Sequence, residues 1–137
     1  MYRDRSHGGE VLARELASLG LPNPVVMGVP RGGVVVGGPV AAALGCPLYA
    51  LPAQKVNAPE YPEVSVGAVA PRRARFVDTF ACRLLQVSPA EFAVQQGLAL
   101  GELRTRVARY APYLPPRSLA GYTAVLVDDG LASGATA

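Results

Sequence analysis

Four short stretches, Val25 to Val29, Cys46 to Leu51, Val64 to Val69 and Ala124 to Val127, are apolar at nearly every position. Strict alternation would mark strands with one wet face, whereas short continuous runs mark strands covered on both faces. Segments of helical spacing lie between them. Helices alternating with buried strands predict an α/β fold, an open parallel sheet with helices on both faces. Ligands in such folds bind beyond the carboxyl ends of the strands.

The helical segments carry their own punctuation. His7 to Gly20 places Val11, Leu12, Leu16 and Leu19 on one face, with Gly20 where a left-handed cap would end the helix. The turn Pro30-Arg31-Gly32-Gly33 opens a second helix that ends near Leu44-Gly45. Gly37-Gly38-Pro39 inside it predicts a late start, a kink at Pro39 or a marginal helix, because an interior proline costs on the order of 3 kcal/mol and each glycine about 1. Gln54 to Glu63, punctuated by proline, reads as an exposed loop. Ser88-Pro89-Ala90-Glu91 has the form of a capping box with proline at the first helical position. Phe92, Leu100, Leu103, Val107 and Tyr110 follow at helical spacing, and Pro112 closes the element.

Composition removes several classes of function. A chain of 137 residues, half of them hydrophobic, has the size and apolar content of one folded domain rather than a disordered segment. The net charge of +3 comes from 13 basic and 10 acidic residues, and Lys55 is the single lysine. Basic residues are scattered, without the clustering and interleaved aromatics of a nucleic-acid binder, so no nucleic-acid partner is expected. Arg72, Arg73 and Arg75 read first as a solvated turn and second as an anion-contacting patch. Cys46 and Cys82, with only His7 as an imidazole, are too few for a structural zinc site and read as small buried hydrophobes. His7 reads as a capping or surface residue without a catalytic role. No charge occurs between Arg31 and Lys55, but prolines and glycines interrupt the stretch, so no membrane span is expected. The opening residues lack the apolar core of a secretory leader, which makes the cytoplasm the expected compartment.

The residues richest in chemistry come last. The strand Val125-Leu126-Val127 runs into Asp128 and Asp129 and then into Gly130-Leu131-Ala132-Ser133-Gly134-Ala135-Thr136. Two ionised carboxylates can accept hydrogen bonds from a vicinal diol such as the 2′ and 3′ hydroxyls of a ribose. Gly130 and Gly134 let the backbone turn its N–H groups toward an anion, and Ser133 and Thr136 add hydroxyl donors. Taken alone, the same residues could form a strand followed by an Asx turn. Pro30-Arg31-Gly32-Gly33 by itself is a tight turn; after a buried strand and before a helix it offers backbone donors, a helix N-terminus and a guanidinium to a pyrophosphate. Lys55 alone reads as a surface charge, or as a second cation beside a leaving group.

The terminal stretch resembles the phosphoribosyl-pyrophosphate motif of type I phosphoribosyltransferases, with Ser133 in place of the more usual threonine. Further segments resemble the family's bacterial "predicted phosphoribosyltransferase" branch: Tyr2-Arg3-Asp4-Arg5 with Gly9, Gly28 to Gly33, and Lys55, Pro59, Pro62-Glu63 and Gly67-Ala68-Val69. The resemblance implies transfer of a 5-phosphoribosyl group from its pyrophosphate to a nitrogenous base in nucleotide metabolism. It implies Asp128 and Asp129 as the catalytic, ribose-binding pair. It implies Gly130, Ala132, Ser133, Gly134 and Thr136 around the 5′-phosphate, and Pro30, Arg31, Gly32, Gly33 and Lys55 around the pyrophosphate. Mg2+ would be held mainly through substrate and water, without a protein ligand set. A homodimer is expected from the same resemblance. Family members continue past the position of Ala137 with a helix and at least one more strand, so residues 1–137 read as a single, incomplete domain lacking that helix and strand. They also commonly carry Arg where this chain has Gln54. Two alternatives follow, a non-catalytic module that keeps the ligand site and an inactive fragment.

Overall fold

The structure, a computed structural model, describes residues 1–132 and 134–137. In chain order the elements are α1 (Arg5–Ala17), β1 (Pro24–Gly28), α2 (Gly32–Leu44), β2 (Leu48–Ala50), β3 (Gln54–Asn57), β4 (Ser65–Ala70), β5 (Ala74–Val77), α3 (Thr79–Leu84), α4 (Pro89–Tyr110), a 3-10 turn (Ala111–Tyr113) and β6 (Thr123–Val127). They gather into two compact units, residues 1–51 with 112–130 and residues 52–111 with 131–137.

The first unit carries the expected α/β architecture, a parallel sheet flanked by helices, with strand order β2-β1-β6. Four of the five residues of β1, Val25 to Gly28, are buried, as its continuous apolar run predicts. The edge strand β6 departs from that expectation. Val127 is buried, but Ala124 and Leu126 are exposed, because among the described residues β6 is an edge strand, paired with β1 on one side. The register runs from Pro24 opposite Thr123 to Gly28 opposite Val127, so both strands end flush at their carboxyl edge. Ala13 of α1 and Val26, Val36, Val40, Ala41 and Val127 form the core, and Leu12 and Leu16 of α1 pack against it.

α1 starts on Asp4, whose carboxylate accepts from the His7 N–H at 2.8 Å, and it ends at Ala17, earlier than the periodicity suggests. Leu19 therefore lies beyond the helix and is exposed. α2 runs unbroken from Gly32 through Pro39 to Leu44 and stops on left-handed Gly45. The proline is accommodated where the two helices cross: a Cβ on Gly9 would fall 3.0 Å from Pro39 Cγ and collide with the Val36 carbonyl. This close approach buries the α2 face that its weak helix formers could not stabilise alone.

The second unit is built on an antiparallel sheet, β3-β4-β5: the apolar run Val64 to Val69 is its central strand β4 and not a strand of the parallel sheet as expected, because its backbone pairs with β3 and β5, which carry no apolar run of their own. Gln54 to Asn57 is a strand here and not part of a loop, since its backbone pairs with Val69 to Ser65 and Val56 turns inward. Arg72 and Arg73 occupy the tight turn between β4 and β5, both with left-handed backbone, while Arg75 lies on β5. α4 begins with the anticipated box: Glu91 N–H donates to Ser88 Oγ at 3.1 Å and Ser88 N–H to Glu91 Oε2 at 2.8 Å. Its Phe92, Ala99 and Leu103 close over Val56, Val66 and Val69. Among the described residues, no helix is long and apolar enough to cross a membrane. Cys46 and Cys82 are free and half-buried rather than buried, and burial pushes both thiols up.

Candidate functional site

Two chain segments leave the carboxyl edge of the parallel sheet side by side. After β1, Val29 N–H donates to the Val127 carbonyl at 2.9 Å, and Gly33 N–H donates to the Val29 carbonyl at 2.8 Å. Between them the chain makes a sharp reversal at Pro30 and Arg31, joined by a cis peptide bond, and enters α2 at Gly32. After β6 come Asp128, half-buried, and Asp129, exposed.

The two segments touch, and the glycines are the reason they can. A Cβ on residue 33 would lie 2.5 Å from the Val127 carbonyl oxygen, closer than real Cβ atoms approach, and a tight 3.1 Å from Asp128 Cα. A Cβ on residue 32 would collide with the Asp129 carboxylate and stand 2.9 Å from Arg5 Nε. The strand-to-helix turn and the acid pair, singled out separately in the sequence, thus form one surface.

Asp129 is held from a third direction. Arg5, in the first turn of α1, places Nη2 at 2.8 Å and Nε at 2.9 Å from Asp129 Oδ2. The guanidinium holds the Asp129 carboxyl below the ordinary carboxylate range, against the opposing effect of partial burial. Asp129 N–H also donates to Asp128 Oδ1 at 2.8 Å, which fixes the two acids relative to one another. A cavity of about 550 Å³ opens beside the pair, with Tyr2, Asp4, Arg5, Leu12 and Val36 completing its wall. His7 Nδ1 accepts from Arg3 N–H at 3.1 Å and its ring meets that of Tyr2 edge-on, contacts within the N-terminal segment.

Of the remaining expected residues, Gly130 is exposed in the first unit. Lys55, Ala132, Gly134 and Thr136 belong to the second unit, and Ser133 lies outside the described residues. Lys55 is exposed on β3. Gly134 is left-handed, and Ala137 N–H donates back to its carbonyl at 3.1 Å. Gly134 and Thr136 line a cavity of about 310 Å³ with Ala68, Ala70, Arg75 and Phe76. Beside Lys55, the buried Gln54 Oε1 has no hydrogen-bond partner among the described residues.

Arg5 is the functional candidate that sequence reasoning passed over. It appears there only as part of an N-terminal motif, because nothing local signals a partner 124 residues away. The surface sets two carboxyl groups, that of Asp129 held in its charged form by Arg5, next to a turn and helix N-terminus that favour negative charge. Among the described residues, no three of His, Cys, Asp and Glu gather as metal ligands. A donor set of two carboxylates, one engaged by Arg5, fits Mg2+ carried on phosphates and water rather than enclosed by protein.

Comparison with known proteins bears on this surface. A family model described as "Phosphoribosyl transferase domain" matches residues 6–136. Two Mycobacterium tuberculosis proteins, "Putative phosphoribosyl transferase MT0597" of strain CDC 1551 / Oshkosh and "Putative phosphoribosyl transferase Rv0571c" of strain H37Rv, are each 36% identical over 137 residues. The alignment takes in all of this chain and spans 31% of each relative's length. The crystal structure of TT1426 from Thermus thermophilus superimposes with a TM-score of 0.79 at 41% identity, covering 98% of this chain and 64% of that one.

Proposed function

The chain belongs to the phosphoribosyl transferase family, and from that premise we propose that it binds 5-phosphoribosyl 1-pyrophosphate and passes the phosphoribosyl group to a nitrogenous base in nucleotide metabolism. The observation that carries this reading is the contact between the acid pair and the turn: Asp129 against Gly32, and Asp128 Cα and the Val127 carbonyl against Gly33. A ribose gripped by Asp128 and Asp129 would present its anomeric carbon toward the turn, where a pyrophosphate would meet Pro30 to Gly33.

In the proposed reaction a base nitrogen forms the new bond to the anomeric carbon while the bond from that carbon to the pyrophosphate oxygen breaks. The bonding electrons leave with the pyrophosphate. Negative charge therefore grows at the turn, and the N-terminus of α2 and the Arg31 guanidinium are the groups of this segment suited to stabilise it. Mg2+, bound through the substrate, would neutralise part of the same charge. Asp128 and Asp129 orient the sugar and place carboxylates near the positive charge that develops on its ring. Gly130, Ala132, Ser133, Gly134 and Thr136 are assigned to the 5′-phosphate, and Lys55 to the pyrophosphate, on the family resemblance. A single domain spanning both units and a cytoplasmic setting, in which the two free cysteines stay reduced, complete the proposal.

A second reading, a module that binds the ligand without turnover, is favoured by Gln54, where family members commonly carry a cation. Equilibrium dialysis with Mg2+ and phosphoribosyl pyrophosphate, followed by pyrophosphate release over a panel of bases, separates the two. Binding with release supports transfer, and binding without release supports the module. No binding overturns both.

A further inference from the structure

A carboxylate placed against the turn that is to receive a pyrophosphate sets two negative charges side by side. A cation beside the acid offsets that repulsion, and Arg5 supplies one, with Nε 2.9 Å from the position a Cβ at Gly32 would take. Its Nε and Nη2 both reach Asp129 Oδ2, and the same oxygen lies over the space a Cβ at Gly32 would fill. We infer that Arg5 is a positioning residue for the acid pair: it pins Asp129 onto Gly32 and neutralises it there, so that sugar and pyrophosphate can be held at adjoining points. The inference rests on the proposed ligand and adds to that reading a role for the N-terminal segment.

The local geometry favours a positioning role over a merely structural one. The Arg5 side chain is 60% exposed, and an ion pair of this kind adds little to stability. Its Nε and Nη2 converge on one oxygen, Oδ2, and so hold that oxygen in place over Gly32. The other charged or titratable groups around Asp129 are Tyr2 and Asp4 of the N-terminal segment and Asp128, which line the same cavity, and Arg31, next to Gly32. Asp4 is committed to capping α1, and Asp128 accepts from the Asp129 backbone.

The test is a calorimetric titration of Mg2+ with phosphoribosyl pyrophosphate into the chain and its Arg5→Ala, Arg5→Lys and Asp129→Asn variants, alongside NMR titration of the Asp129 carboxyl carbon. Expected are a loss of affinity of roughly 10- to 100-fold in Arg5→Ala, partial recovery in Arg5→Lys, and only a slight drop in melting temperature at neutral pH, since the ion pair is exposed. The Asp129 midpoint should rise in Arg5→Ala, a change that a merely structural residue would not produce. If Arg5→Ala binds as tightly as the parent, or more tightly, while Asp129→Asn loses binding, the role of Arg5 is overturned and the ligand assignment survives. If the parent chain itself does not bind, the assignment of the ligand fails and this inference falls with it.

Discussion

The Asp129 carboxylate fills the space that a side chain at Gly32 would need. One residue follows the last strand of the parallel sheet and the other opens the helix after its first strand, so a contact 97 positions apart in sequence (129 − 32) joins the two segments singled out for ligand chemistry. The juxtaposition makes the site sensitive to the smallest substitutions.

Gly32→Ala should leave the fold intact and damage the site. The atom it displaces is the end of an exposed side chain that can swing away, and alanine is the better helix former by about 1 kcal/mol. Melting temperature should change little, while affinity for Mg2+ with phosphoribosyl pyrophosphate should fall roughly tenfold or more. Gly33→Ala should behave in the opposite way. Its new methyl meets the Val127 carbonyl, backbone that cannot yield without moving the sheet, so chemical denaturation should show a loss of about 1–3 kcal/mol.

Acidification should release the clamp on Asp129. Its carboxyl titrates below the ordinary range in the folded chain because of Arg5. A depressed pKa contributes stability that is present above the unfolded value, about 4, and is lost as pH falls through the folded value. The stability difference between the parent chain and Arg5→Ala should therefore be constant near neutrality and shrink toward zero below that range. Urea denaturation at a series of pH values reads this directly. A difference that grows on acidification would contradict the assignment.

How much of this was legible beforehand follows from the range of the forces involved. The Ser88 to Glu91 box was readable because all its partners lie within four residues. β1 and the end of α2 at Gly45 were readable for the same local reason. β3 was not, since Gln54-Lys55-Val56-Asn57 has a weak pattern of its own and becomes a strand only by pairing with β4. β5, with Arg75 and Phe76 exposed, is likewise made by its neighbour. The acid pair and the glycine turn announced themselves separately. Their contact, and the part played by Arg5, depend on the alignment of β1 with β6, which no short stretch of sequence encodes.

Ser88→Ala should cost about 1 kcal/mol, because it removes the acceptor for Glu91 N–H and leaves only the other half of the box, the residue 88 N–H donating to Glu91 Oε2. The loss should appear in thermal or urea unfolding without any change in ligand affinity, since α4 packs on β3 and β4 of the second unit, away in sequence from the acid pair.

Gln54→Met should stabilise the chain by about 1 kcal/mol. Gln54 Oε1 is buried with no partner among the described residues, and removing an unsatisfied acceptor while keeping the volume relieves its desolvation cost. An increase in the urea midpoint at unchanged slope would bear this out, and a decrease would show that the oxygen has a partner in solution.

The central claim is that Asp128 and Asp129 hold the sugar of a phosphorylated ribose, and calorimetry with Asp128→Asn and Asp129→Asn tests it most directly. Each neutral isostere keeps the shape of the site and removes one ionised acceptor. Titrating Mg2+ with phosphoribosyl pyrophosphate should give saturable binding to the parent chain and affinity lower by roughly tenfold or more in each variant. Equal binding in all three proteins would contradict the account.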